Sequence, residues 1–154
     1  MALKADRFEM QTDISFFMNE VAERGGVASL STSGSGAAMD QSQALVSYWA
    51  SPSGKTPIGV LLNDMVNIDL TRQHLNFYKD EVQKGSKVTL LRKGYVVTNM
   101  IIGTPTAGAA AFVAHSGRVS AGDVIGGGRA VGVFLSTKDQ DGYAKVEVNL
   151  PVTY

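Results

Sequence analysis

The sequence predicts a mainly all-β protein, a small antiparallel β-barrel or sandwich behind a distinct N-terminal segment. Three observations carry this expectation. From Tyr143 the residues alternate without a break: Ala144, Val146, Val148 and Leu150 fall on one face, and Tyr143, Lys145, Glu147 and Asn149 on the other. A period of two marks a half-buried strand. Turn residues recur every ~8–12 positions between short apolar runs, the spacing of small barrels and sandwiches. Glycine reaches 17 of 154 residues with no collagen-like period, well above the usual ~7%, as a turn-rich β chain requires.

The first 24 residues fit two templates. Met10, Ile14, Phe17, Met18 and Val21 recur at helical spacing, whereas Phe8, Met10, Ile14, Phe16 and Met18 share one face of a strand. A helix capped by Asp13 and ended by Gly25-Gly26 would serve the first; an extended arm would serve the second. The expected division is therefore an N-terminal arm or short helix over residues 1–24 and one β-rich domain over residues 25–154.

Residues 25–39 are small, hydroxylated and Gly-rich, a loop with a short strand at 27–30. Residues 44–51 read as a strand carrying the single tryptophan, Trp49. Pro52-Ser53-Gly54 marks a turn. Strands follow at 58–62 and 66–70, then a polar connection over 72–82. Val88 and Leu90 alternate with Lys87 and Thr89. Lys93-Gly94 reads as a turn, and residues 95–102 return as a β-branched run. Residues 103–108 are a loop, 111–115 a short strand, and 117–129, with Gly126-Gly127-Gly128, a turn-rich connection. The closing hairpin places Val131, Val133 and Leu135 on one face before Asp141-Gly142, a dipeptide suited to the positive φ angles of tight turns.

Composition excludes several functions. Lys plus Arg and Asp plus Glu are equal at 14 each, with no basic stripe, so a nucleic-acid partner is not expected. No apolar run approaches the ~20 residues of a membrane span, and MALKADRFEM lacks the apolar core of a signal peptide. The chain has no cysteine, which removes disulfides and thiolate metal sites.

Site motifs fail on their surroundings. Ser53-Gly54-Lys55-Thr56 has the end of a phosphate loop, but Trp49 stands where its first glycine belongs, and no helix pattern follows. Gly34-Ser35-Gly36 lacks the strand-to-helix setting and third glycine of a dinucleotide fingerprint. Gly126-Gly127-Gly128 has the composition of an anion nest, but also of a flexible surface turn. His74 and His115 are far apart and lack acidic neighbours at ligand spacing. Ser116, adjacent to His115, would face the opposite way on a strand. Asp139 and Asp141 sit in a turn, where both are solvated. Lys93 is at an expected hairpin tip, without neighbours that mark a cofactor-bearing lysine. No enzymatic activity and no cofactor are expected.

Four stretches carry a family likeness: GSGAAMDQS (34–42), PSGKTPIGVLLNDMVNIDLTRQ (52–73), KGSKVTLLRKGYVVTN (84–99) and VGVFLSTKDQDGYAKVEVNLP (131–151). Together they resemble the capsid decoration, or cement, proteins of tailed bacteriophages, of the β-tulip type. The likeness runs from about residue 13 to the end. It rests on strands, turns and local sequence rather than on an invariant chemical signature. It implies a structural virion protein on the outer capsid surface, made in the host cytoplasm. Its partner would be the major capsid protein, whose subunits it bridges. It would assemble as a homo-oligomer, a trimer in preference to a dimer. It implies Phe8, Met10, Phe16, Phe17 and Met18 as contacts from the N-terminal arm, and Tyr48 and Trp49 as aromatic anchors. Core packing is the competing role for Trp49. Another virion or adhesion β-module, or a small-ligand or carrier barrel, are the alternative functions.

Overall fold

Alternating apolar and polar residues give strands almost everywhere in the computed structural model, which describes residues 2–31, 44–64 and 81–150. The expected strand at 66–70, the expected 25–39 loop from residue 32 onward with Gly34-Ser35-Gly36, most of the 72–82 connection, and His74 lie outside the described residues. Among the described residues the elements are β1 (Leu3–Met18), β2 (Ala22–Glu23), β3 (Val27–Leu30), β4 (Leu45–Ser47), β5 (Pro57–Asp64), β6 (Glu81–Val82), β7 (Lys87–Thr98), β8 (Ile101–Ile102), β9 (Ala110–Val113), β10 (Val119–Ser120), β11 (Ala130–Phe134) and β12 (Ala144–Asn149). The only helical element among them is a single 3-10 turn, His115–Gly117. The all-β expectation therefore holds.

Ten strands form one sheet in the order β1-β4-β3-β5-β7-β12-β11-β9-β10-β8, and β2 pairs with β6 separately. β1 also pairs with β7, so the pairings run from β1 through β4, β3 and β5 to β7 and back to β1. The other half, from β12 to β8, fans out from β7 and ends on β8. Among the described residues, no closure of the whole sheet into a barrel is seen.

The axis of this arrangement is β7. One edge of it pairs antiparallel with β1, from Leu3 opposite Thr98 to Phe17 opposite Lys87. Its other edge pairs first with β5, up to Leu91, and then with β12, from Lys93 onward. The expected turn at Lys93-Gly94 is therefore corrected to uninterrupted strand. Gly94 stands at the change of partner with φ +141, and a Cβ there would collide with the carbonyl oxygen of Phe8. Glycine is needed at this point for close backbone approach rather than for reversal.

The helix considered for the N-terminal segment is likewise corrected: residues 3–18 are strand. Side chains at i and i+2 of a strand share a face, and the face of Phe16 and Met18 packs on strand neighbours at Val88 and Val46.

Two apolar clusters result. Met18, Ala28, Val46, Leu61, Val88 and Leu90 belong to one. Val27, Val60, Leu62, Leu91, Val96, Phe134 and the inward residues of β12 belong to the other. Adjacent residues such as Leu90 and Leu91 serve different clusters, because strands shared by both halves bury both faces.

The closing hairpin keeps its predicted inward set on β12: Ala144, Val146, Val148 and Leu150 are all buried. Its turn is longer than a two-residue turn. The Gly142 N–H donates to the Asp139 carbonyl at 3.1 Å and the Asp139 N–H to the Tyr143 carbonyl at 2.8 Å, with Gly142 at φ +86. This is a turn closed by a left-handed glycine. The expectation for β11 is corrected. Val131 and Phe134 are buried, while Val133 and Leu135 are exposed. A register shift between Ala130 and Gly132 against β9 displaces the alternation, as a bulge does.

Candidate functional site

The surface of this sheet is built from the side chains left over once both clusters are filled. On β1, Phe8 is 50% exposed and Met10 68%, and Ile14, further along the strand, is exposed as well. Phe8 lies opposite Tyr95, Tyr95 opposite Glu147, and Glu147 opposite Val133. Residues directly opposite in a sheet share a face, so these four form one row across β1, β7, β12 and β11. The Phe8 and Tyr95 rings stack with centroids 6.1 Å apart. Lys145 lies over the Tyr95 ring at 4.5 Å and approaches Asp6 at 3.9 Å. Lys4 lies over Tyr143 at 4.4 Å. The outward face of β12 is thus charged, as its alternation predicts, but its neighbours make it aromatic as well. Ala130, Gly132, Val133, Glu147 and Asn149 line a shallow depression of about 280 Å³ on the β11–β12 hairpin.

A second corner forms where β4 ends. Trp49 is half-buried; its indole N–H donates to the Leu30 carbonyl at 3.3 Å, and Lys55 lies 4.2 Å over its ring. The Ser116 N–H donates to the Trp49 carbonyl at 2.9 Å, and His115 Nδ1 lies 2.9 Å from the Ala50 carbonyl. His115 and Ser116 are therefore parts of a 3-10 turn that fastens this corner, and the expected strand through position 115 ends at Val113. Gly54 donates to the Gly127 carbonyl at 3.1 Å, and Arg129 donates to the Thr56 hydroxyl at 2.9 Å. The Gly126-Gly127-Gly128 run is occupied internally. It wraps the Asp123 carboxylate, which accepts from Gly128 at 2.9 Å and from Ile125 at 3.3 Å. Those backbone N–H groups, Gly128 foremost, hold the Asp123 carboxyl below its ordinary range; a nest already filled by its own carboxylate offers no anion site.

The seven residues named in advance separate clearly. Phe8 and Met10 are on the surface, and Trp49 is partly so. Phe16 is half-buried, and Phe17, Met18 and Tyr48 are buried. Tyr48 is held by its hydroxyl, which donates to the Glu23 carbonyl at 2.6 Å and accepts from the Gly26 N–H at 2.9 Å. Burial pushes the pKa of its hydroxyl far above the usual phenol range. Exposed Val133 and Leu135 were not anticipated, because the bulge that turns them outward has no composition signal. Among the described residues no group of three His, Asp or Glu side chains is placed to hold a metal ion.

Among the described residues this surface offers rings, lysines and apolar side chains, which suit docking. The model of the family of structural cement proteins (E217 gp24/Pam3 gp6) matches residues 12–149. The chain belongs to the phage cement protein family. It is a structural, non-enzymatic virion protein that associates with capsid proteins at the capsid surface. No curated protein matches the chain. The family match covers the β1–β7 pairing from Thr12 onward, the Trp49 corner and the closing hairpin. It begins after Phe8 and Met10.

Proposed function

We propose that this cement protein binds the outer face of the phage head and bridges neighbouring major capsid subunits through two separate patches. The observation that carries the reading is their separation along β1. Phe8 and Met10 lie near the middle of the 16-residue strand, and Trp49 lies past its Met18 end, beyond the pairing of Phe17 with Leu45. At ~3.3 Å per residue, Phe8 and Phe17 alone are roughly 30 Å apart. A rigid sheet with contacts at two such separated places can hold two subunits at once. Each bridge makes the second contact effectively intramolecular, so modest patches add up across a shell.

The contacts we assign are Phe8, Met10 and Ile14 on β1, and Trp49 with Lys55 at the corner. Phe17, Met18 and Tyr48 support these from within the core. We also read the circuit β1-β4-β3-β5-β7 as the barrel of a β-tulip fold, with the β12-to-β8 strands spreading from it.

The test is co-sedimentation with expanded, undecorated heads. Wild-type protein should saturate a fixed number of sites per head. Trp49→Ala and Met10→Ala should each bind more weakly while remaining folded. Binding to host cells or glycans with none to heads would replace this reading with an adhesion module.

A further inference from the structure

We propose that the Trp49 corner docks an acidic, partly apolar segment of a major capsid subunit. The proposal rests on the capsid reading and adds the chemistry that the subunit must present here. Charge is unevenly placed in a chain whose formal total is zero. Two stretches build the corner, residues 49–56 and 113–130, and both are described throughout. They carry Lys55, Arg118 and Arg129 against a single carboxylate, Asp123. That carboxylate already accepts the Ile125 and Gly128 N–H groups of its own loop.

The cations are fixed around one aromatic ring. Lys55 Nζ lies 4.2 Å from the centroid of Trp49, and an ammonium over a ring still has N–H donors to aim outward. The Arg129 guanidinium is held by the hydroxyl of Thr56, the neighbour of Lys55. Arg118 is exposed and directly follows the His115–Gly117 turn. Hydrogen bonds from Ser116 to Trp49 and from His115 to Ala50, with Gly117 against the Tyr48 ring, fasten that turn to the corner. Apolar surface lies among these charges. Leu30, whose carbonyl takes the indole N–H, is 36% exposed. Val124 is 51% exposed, on the loop that Gly127 joins to Gly54. Charge complementarity selects an occupant with carboxylates flanking an apolar side chain, and the Arg118 fork suits a carboxylate in particular. A phosphate backbone would engage the cations and leave Trp49, Leu30 and Val124 unmatched.

The single tryptophan reports on the site directly. At low salt, poly-glutamate should change Trp49 fluorescence saturably, and a short duplex DNA should do so more weakly. Raising the salt should weaken poly-glutamate binding, and Lys55→Glu or Arg118→Glu should each weaken it about ten-fold or more. Attachment to expanded, undecorated heads should fall in the same two variants. Lys138→Glu, in the turn of the closing hairpin, should bind as wild type does. Unchanged thermal unfolding checks that the variants are folded. Fluorescence that ignores poly-glutamate, or answers equally to duplex DNA, overturns the proposal, as does head attachment that survives both charge reversals. Wild-type attachment to heads alongside those results would leave the capsid reading intact. A corner that takes poly-glutamate with salt and variant dependence, on a protein that ignores heads, would remove the capsid reading and retain the dock for an acidic segment.

Discussion

The ring of Tyr48 lies against Gly117, so closely that a Cβ at Gly117 would stand 2.7 Å from the ring's Cγ. The same tyrosine ties Glu23 to Gly26 through its hydroxyl. The 3-10 turn, the end of β4 and the start of β3 are thereby clamped together, and this clamp holds the Trp49 corner in place.

Gly117→Ala should be strongly destabilising for two reasons that a control can separate. Gly117 has φ +79 and no room for a methyl group; Gly142 has φ +86 and open space around it. Backbone strain alone costs about 1–2 kcal/mol, and overpacking typically adds another ~1–3 kcal/mol. Urea unfolding should show a larger fall in midpoint for Gly117→Ala than for Gly142→Ala. Equal falls would mean that the ring yields freely.

Tyr48→Phe keeps the ring and removes the hydroxyl that serves both Gly26 and Glu23. Both backbone groups are then left without that partner in a buried place, at a cost of about 1–3 kcal/mol. Thermal unfolding should register the loss as a lower midpoint.

The Asp123 carboxyl should titrate below the ordinary aspartate value of about 3.9, because Gly128 and its neighbours donate to the charged form. A depressed folded-state value means the loop is favoured above the unfolded value. That advantage is lost as pH falls through the folded value. The Gly128 amide resonance should report a midpoint below 3.9, and Asp123→Asn should abolish that titration.

Trp49→Ala should preserve the fold, since the ring is only half-buried, yet weaken head attachment. An aromatic anchor at an interface centre contributes at least ~2 kcal/mol, or roughly 30-fold in affinity. Lys55→Ala should produce a smaller loss, through the ring it covers.

Much of this architecture can be read from residue order, and the exceptions have physical causes. β12 is legible because one of its faces is wet and the other dry. β7 is obscured at Lys93-Gly94, where a glycine that admits the Phe8 carbonyl has the same composition as a turn. The inward residues of β11 are lost to a bulge, which shifts the period without changing residue type. β1 satisfies helical and strand spacing equally, and only its pairing with β7 decides between them. For the contacts, sequence identified apolar side chains but not their exposure. Phe8 and Met18 have similar character, and tertiary packing alone buries one and leaves the other outside.

The central claim is that the protein braces the head by holding separate subunits. It is tested most directly by heating expanded, undecorated heads with and without saturating protein and recording the temperature at which the shell disrupts. The account predicts a clear upward shift with wild-type protein, reduced in parallel with occupancy for Trp49→Ala and Met10→Ala. Saturated heads that disrupt at the same temperature as bare ones would contradict it.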